Sequence, residues 1–212
     1  MKIFESIFGW VSDFIIRTIQ AARGDVQYTK NLWTSQLQAR RNPYSSCFSH
    51  AMAWFLQNNG LQITPDQVTE ALNNDPIYIS WGRNHYGAAT YNSFQSRDLA
   101  QMLWELQAKF ANDKIGVKNC AIFLQDTSLH DLKQWITRGP IIVNTEPEYQ
   151  GKKLGHIMLI VGRQDDSWII DDSFGNFLVG YVGGASGDDV IVPFEDFEKI
   201  RGKMSIHYLN KI

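Results

Sequence analysis

Near residue 118 the hydrophobic pattern of this chain changes its period, and that change limits the available folds more than any other feature. Upstream, apolar residues recur at three- and four-residue steps, the repeat of helices with one buried face. Phe48, Ala51, Met52, Phe55 and Leu56 form one such stripe, and Leu99, Met102, Leu103, Leu106 and Phe110 form another. Between them Thr64 caps a helix that has Pro65 in its first position and runs to about Leu72. Downstream the chain reads as short strands: Cys120–Leu124, then 140–145, 156–162, 167–172, 176–182, 189–192 and 203–209. Helices over 128–138 and near 194–200 interrupt them. Helices first and an antiparallel sheet second predict an α+β fold, a helical subdomain packed on an antiparallel sheet.

The first helix begins at a cysteine. Asn42-Pro43-Tyr44-Ser45-Ser46 leads up to Cys47, with Pro43 keeping the backbone extended and Ser45 or Ser46 placed to cap. Asn58-Asn59-Gly60 supplies the stop. Cys47 therefore falls in the first turn of a short, half-buried helix, where unpaired N–H groups and the helix dipole favour a thiolate. Most free cysteines are simply buried core residues, so the position gains meaning only from partners elsewhere in the chain.

Composition excludes several classes. The 212 residues carry a net charge of -2, with no block of like charge and no basic footprint for nucleic acid. Two cysteines, Cys47 and Cys120, are too few for a disulfide framework and suit a reducing compartment. Cys120, inside an apolar strand, reads as an inert core thiol. No apolar run approaches the roughly 20 residues of a membrane span. Residues 1–30 read as an N-terminal amphipathic helix and linker, and residues 31–212 as the main domain. On the first of these, Ile3, Phe4, Ile7, Trp10, Val11, Phe14, Ile15 and Ile19 share one face. Glu5, Asp13 and Arg17 interrupt it and no small-residue cleavage site follows, which argues for cytoplasmic synthesis without a signal peptide. Such a helix packs on its own domain or on a partner more readily than on a membrane surface. Residues 24–35 read as the linker into the domain. A long stretch over 74–95 holds Trp81, His85, Tyr86, Tyr91 and Phe94 without periodicity, the signature of a functional or poorly ordered loop.

The partners for Cys47 lie in the second half. Gly155-His156 opens the run Ile157–Gly162, and Ser167–Ile170 leads into Asp171-Asp172-Ser173-Phe174-Gly175. The two runs form a hairpin about Gln164-Asp165-Asp166. A turn centred on Gln164 sets His156 opposite Asp172, with Cβ atoms ~5 Å apart. A two-residue turn or a bulge would put Asp171 there instead, so Asp172 is preferred and Asp171 stays open. A thiol, an imidazole and an orienting carboxylate are what nucleophilic catalysis requires. Gln36, upstream of the cysteine, offers an amide for the oxyanion beside the Cys47 N–H, with Gln38 as its rival.

At these residues the chain resembles the papain-like cysteine peptidases related to the bacteriocin-processing, double-glycine enzymes, in their stand-alone form. The resemblance rests on Ser35-Gln36, Asn42-Pro43, Ser46-Cys47 and Ala51-Met52 in the first half. In the second it rests on Gly155-His156, Val161-Gly162 and Asp172-Ser173-Phe174-Gly175. It covers roughly residues 34–208 and implies Cys47 as nucleophile, His156 as general base, Asp172 as orienter and Gln36 as oxyanion donor, in a papain-like fold with no cofactor. Two positions depart from the family. Phe48 replaces the small residue usual after the cysteine, and Ser173 stands where proline is usual.

Three functions fit this reading. One is hydrolysis of bacterial cell-wall peptides by a lysis or virion-associated enzyme, released by lysis or carried on a particle. The second is processing of a protein or leader peptide after small residues. The third is a catalytically idle fold that binds a partner, with residues 1–23 as its docking helix. No metal site is expected: His50 is a single companion to Cys47, and His85, His130 and His207 have no ligand-spaced neighbours. The acidic pairs Asp165-Asp166 and Asp188-Asp189 lack the spacing of a calcium loop. Val182-Gly183-Gly184-Ala185-Ser186 looks like a double-glycine cleavage site, but glycines at this place also suit a tight turn.

Overall fold

A computed structural model describes residues 25–28, 31–40, 43–44, 46–74, 97–115 and 121–208. The expected N-terminal amphipathic helix, the aromatic stretch 81–94 and Cys120 lie outside the described residues. Helix α1 spans Cys47–Gln57, α2 Pro65–Asn74 and α3 Arg97–Ile115. Thr64 and Gln67 cap α2 reciprocally, Thr64 Oγ1 accepting from Gln67 N at 3.2 Å and Gln67 Oε1 from Thr64 N at 2.8 Å. Where the sequence predicts a half-buried helix, every residue of α1 from Cys47 to Leu56 is buried. Ser49 and His50, on its polar side, are covered too, and Ser49 Oγ accepts a hydrogen bond from Thr69 of α2 at 2.8 Å.

Seven of the described strands form one antiparallel sheet with α1–α3 on one face and two short helices, α4 (Leu129–Trp135) and α5 (Phe194–Ile200), on the other. In chain order the strands are β1 (Val26–Gln27), β2 (Ala121–Leu124), β3 (Ile141–Thr145), a separate two-strand hairpin β4–β5 (Glu148–Tyr149 and Lys152–Lys153), β6 (His156–Gln164), β7 (Ser167–Asp171), β8 (Val190–Pro193) and β9 (Arg201–Tyr208). The sheet order is β2-β9-β3-β6-β7-β8, with β1 added beside the end of β6. Alternation divides the core between the faces. Ile142, Leu159, Val161, Ile169 and Ile206 pack toward α1–α3. Ile141, Val143, Met158, Ile160, Trp168 and Ile170 pack toward α4 and α5.

Three expectations change. The run read as a linker, 24–35, contributes a strand: Val26 and Gln27 pair with Arg163 and Gly162, and Tyr28 Oη donates to Ile136 O at 2.9 Å. Gly162 is required there, since a Cβ would meet the Val26 carbonyl at 2.4 Å. The expected strand 176–182 is instead a 3-10 turn, Phe177–Val179, followed by left-handed residues at Gly180 and Tyr181. Its apolar pattern reflects exposed side chains: Leu178, Val179 and Val182 all face solvent. The hairpin register also differs. The turn has two residues, Asp165-Asp166, and a bulge lies between Ile160 and Gly162. Either departure alone would exchange the faces of Asp171 and Asp172. Together they cancel, so Leu159 pairs with Asp171 and Asp172 keeps the parity of His156. Among the described residues, no helix is long and apolar enough to cross a membrane.

Candidate active site

Cys47 stands at the first position of α1, 8% exposed, and is the only described cysteine. Ser46 occupies the cap position without a side-chain cap bond, and its hydroxyl is buried without a partner. The backbone carbonyl of Ser46 instead receives both His50 N at 3.1 Å and the His50 ring Nδ1 at 3.0 Å. Burial lowers the His50 pKa. With Nδ1 on a carbonyl and its ring in a T-shaped contact with Trp54, His50 is a helix-packing residue.

His156, at the start of β6, meets Cys47 on one side and Asp172 on the other. Its Nε2 is 2.7 Å from Asp172 Oδ1, and both side chains are almost fully buried. The Cys47 sulfur lies close enough to the ring to act on its protonation. With Nε2 engaged by the carboxylate, Nδ1 is the nitrogen left for the sulfur. Burial alone would disfavour the imidazolium. The Asp172 carboxylate and the Cys47 sulfur outweigh it and raise the His156 pKa to about 10.

Asp172 lies just beyond the end of β7, where its N–H donates to Gly187 O at 2.8 Å. A Cβ on Gly187 would come 1.9 Å from the Asp172 carbonyl, so only glycine fits this approach. Asp172 Oδ1 also accepts from Phe174 N at 2.9 Å, and Oδ2 accepts from Tyr181 Oη at 3.0 Å. Asp171 points elsewhere, accepting from Asn31 Nδ2 at 2.5 Å and Asp189 N at 2.9 Å. Burial raises its pKa to about 7. Asp171, Asp188 and Asp189 bring three carboxylates together, two of them exposed.

Gln36 reaches the site through an interaction that spacing could not reveal. Residues 31–36 run beside 171–173: Asn31 bonds Asp171, Trp33 Nε1 donates to Asp172 O at 3.1 Å, and Gln36 N donates to Ser173 O at 2.8 Å. Gln36 is 2% exposed, whereas Gln38 faces solvent. Its Nε2 donates to Pro43 O at 3.0 Å and its Oε1 accepts from Ser173 Oγ at 2.6 Å. A carbonyl can only accept, which fixes the amide with nitrogen toward Pro43 and oxygen toward Ser173. One N–H of the amide is left for another acceptor. Ser173, the residue where proline was expected, therefore holds Gln36 from both backbone and side chain.

Sequence reasoning missed Ser173, Tyr181 and a small aromatic wall. Tyr149, Phe174 and Tyr181 meet edge to face, at ring-centroid distances from 4.9 to 5.8 Å, and the rings of Phe174 and Tyr181 each lie 6.4 Å from that of His156. Tyr149 comes from the β4–β5 hairpin and the others from the loop after Asp172, so no local pattern joins them. His130 is exposed and bonds Gln134; His207 belongs to a separate buried group with Ser205.

No protein-family model matches the chain, and no curated protein is similar to it in sequence. Among solved structures, it is similar to a Bacillus anthracis protein described as a C39-like peptidase. The two are 14% identical, the match covers 89% of this chain and 99% of that one, and the TM-score is 0.54. The shared feature is the fold: mixed helices and antiparallel sheet in the arrangement of a C39-like peptidase.

Proposed function

We propose that this protein is a papain-like cysteine peptidase with Cys47 as nucleophile, His156 as general base and acid, Asp172 as orienting carboxylate and Gln36 as oxyanion donor. The observation that carries the reading is the His156 ring held between the Asp172 carboxylate, at 2.7 Å, and the Cys47 sulfur. A raised imidazole pKa keeps the ring protonated and its charge beside the sulfur, which is the state in which a thiol serves as a thiolate nucleophile.

In this mechanism the sulfur attacks a peptide or isopeptide carbonyl, forming a C–S bond and moving the carbonyl pair onto oxygen. The Cys47 N–H and the remaining Gln36 N–H receive that charge. His156 passes its proton to the leaving amine as the C–N bond breaks, leaving a thioester. Water then attacks, His156 takes its proton, and cleavage of the C–S bond returns the thiolate. No step requires a cofactor.

The substrate proposed first is a bacterial cell-wall peptide, with a double-glycine leader or protein substrate as the alternative. The fold likeness to a protein described as a C39-like peptidase favours peptide-bond chemistry in both cases. A thiol-directed activity probe should label wild-type protein and not Cys47→Ala. Mass spectrometry of muropeptide digests against leader-peptide digests then assigns the substrate. Absence of Cys47-dependent labelling and of both products would leave only a partner-binding role.

A further inference from the structure

Tyr181 lies in a part of the chain that sequence assigns to an ordinary strand. Its backbone is left-handed, at φ 60, between Gly180 at φ 67 and an exposed Val182. A non-glycine residue in that region is strained. The loop that carries it is closed at its base by Asp172 N to Gly187 O and by Asn176 N to Ala185 O, at 2.8 and 3.3 Å. The neighbours Leu178, Val179 and Val182 all face solvent. Tyr181 alone of this set turns inward, and its hydroxyl ends on the carboxylate that faces His156.

That contact completes the fixing of the carboxylate. Oδ1 holds His156 Nε2 and Phe174 N, both on the same oxygen. With those two alone, the group could turn about its Cβ–Cγ bond and carry Oδ1 away from the ring. A donor on Oδ2 blocks that rotation. The aromatic ring is held in turn by Phe174 and Tyr149, so the hydroxyl is pre-aimed. Burial and the nearby Asp172 charge both raise the Tyr181 pKa, which keeps the hydroxyl a donor.

We infer that Tyr181 is a positioning residue of the catalytic group, fixing Asp172 through Oδ2 so that Oδ1 stays on His156. This rests on the peptidase reading above. The hydroxyl touches neither substrate nor the reacting atoms; it acts through Asp172.

The test uses the full chain and Tyr181→Phe, which removes one atom and keeps the ring. Two readouts are followed: the alkylation rate of Cys47 by iodoacetamide at neutral pH, and the downfield proton resonance of His156 Nε2–H. The expected result is an alkylation rate lowered about tenfold, the worth of one charge-assisted hydrogen bond, with the His156 resonance shifted or broadened by exchange. Tyr28→Phe, which removes a tyrosine hydroxyl bonded to Ile136 O and does not touch Asp172, should change neither. In the Asp172→Asn background, Tyr181→Phe should add little, because the carboxylate it fixes is gone; a merely structural role would add its full effect there. If wild-type Cys47 is activated and Tyr181→Phe leaves both readouts unchanged, the inference falls and the peptidase reading stands. If wild-type Cys47 reacts no faster than a free thiol, both fall together.

Discussion

His156 and His207 lie on strands of the same sheet, both buried, each in contact with a group that could serve as a nucleophile. His156 has the Cys47 sulfur on one side and the Asp172 carboxylate on the other. His207 has Ser205 Oγ at 2.6 Å from its Nε2, and that hydroxyl lies 2.6 Å from Thr127 Oγ1. The other ring nitrogen of His207 is buried without a partner. Burial lowers the His207 pKa to about 3, against about 10 for His156. A histidine beside a hydroxyl is thus no catalyst by adjacency. With no carboxylate bonded to the ring, burial outweighs the more distant Asp131 charge and the ring stays neutral; with one, the charged form is retained. Ser205 is also 1% exposed, so nothing can reach it.

The sharpest break in the comparison is functional. Cys47→Ser should abolish turnover with the fold intact, and His156→Gln should lower it roughly 10²–10⁴-fold. Ser205→Ala should leave turnover unchanged. If steady-state assays showed Ser205→Ala inactive and Cys47→Ser active, the two sites would exchange roles.

Next in size is the carboxylate. Asp172→Asn should reduce turnover roughly 10- to 100-fold, the loss of one hydrogen bond to a charged group. Asp171→Asn should change it far less, because Asp171 contacts Asn31 and Asp189 instead of His156. Equal losses from the two would move the orienter elsewhere.

Stability sharpens the contrast from the other side. Ser205→Ala should cost about 1–3 kcal/mol in denaturant unfolding, since His207 then keeps no hydrogen-bond partner for Nε2. The two rings should also bend the stability curve in opposite directions. The folded-state pKa of His207 is depressed, so its contribution is present above pH 6.5 and is lost as pH falls toward 3. That of His156 is raised, so its contribution is present below pH 6.5 and is lost as pH rises toward 10. Asp171 opposes His207 across part of this range. It holds its proton in the fold, so its share of stability falls as pH rises from about 4 to about 7. Thermal melts across pH for His207→Phe, His156→Gln and Asp171→Asn should each flatten their own limb.

The smallest effect is an expected absence. Gly183 and Gly184 sit at φ 69 and 66 in a closed loop, while cleavage needs an extended backbone. Intact mass after long incubation should show no Cys47-dependent cut after Gly184; a cut would define the specificity directly.

Among the described residues, local pattern determined the helices, most of the strands and the placement of Cys47 at a helix start, because periodicity and caps act over a few residues. Thr64-Pro65 and the Ser128–Asp131 capping box are set almost entirely within their own turns. The apolar stretch 176–182 reads as a strand but folds as a 3-10 turn, because strand alternation and an exposed turn can share one pattern. Parity pointed to Asp172 as the residue on the His156 side, yet a two-residue turn and a bulge together produce that parity, and neither is written in any single residue. What only the tertiary structure decided is which distant groups meet. Residues 31–36 lie beside 171–173, so Ser173 holds Gln36 across 137 positions of chain. Tyr181 turns back onto Asp172 from a left-handed loop. Such contacts depend on how elements pack, and packing is a property of surfaces that the chain assembles only on folding.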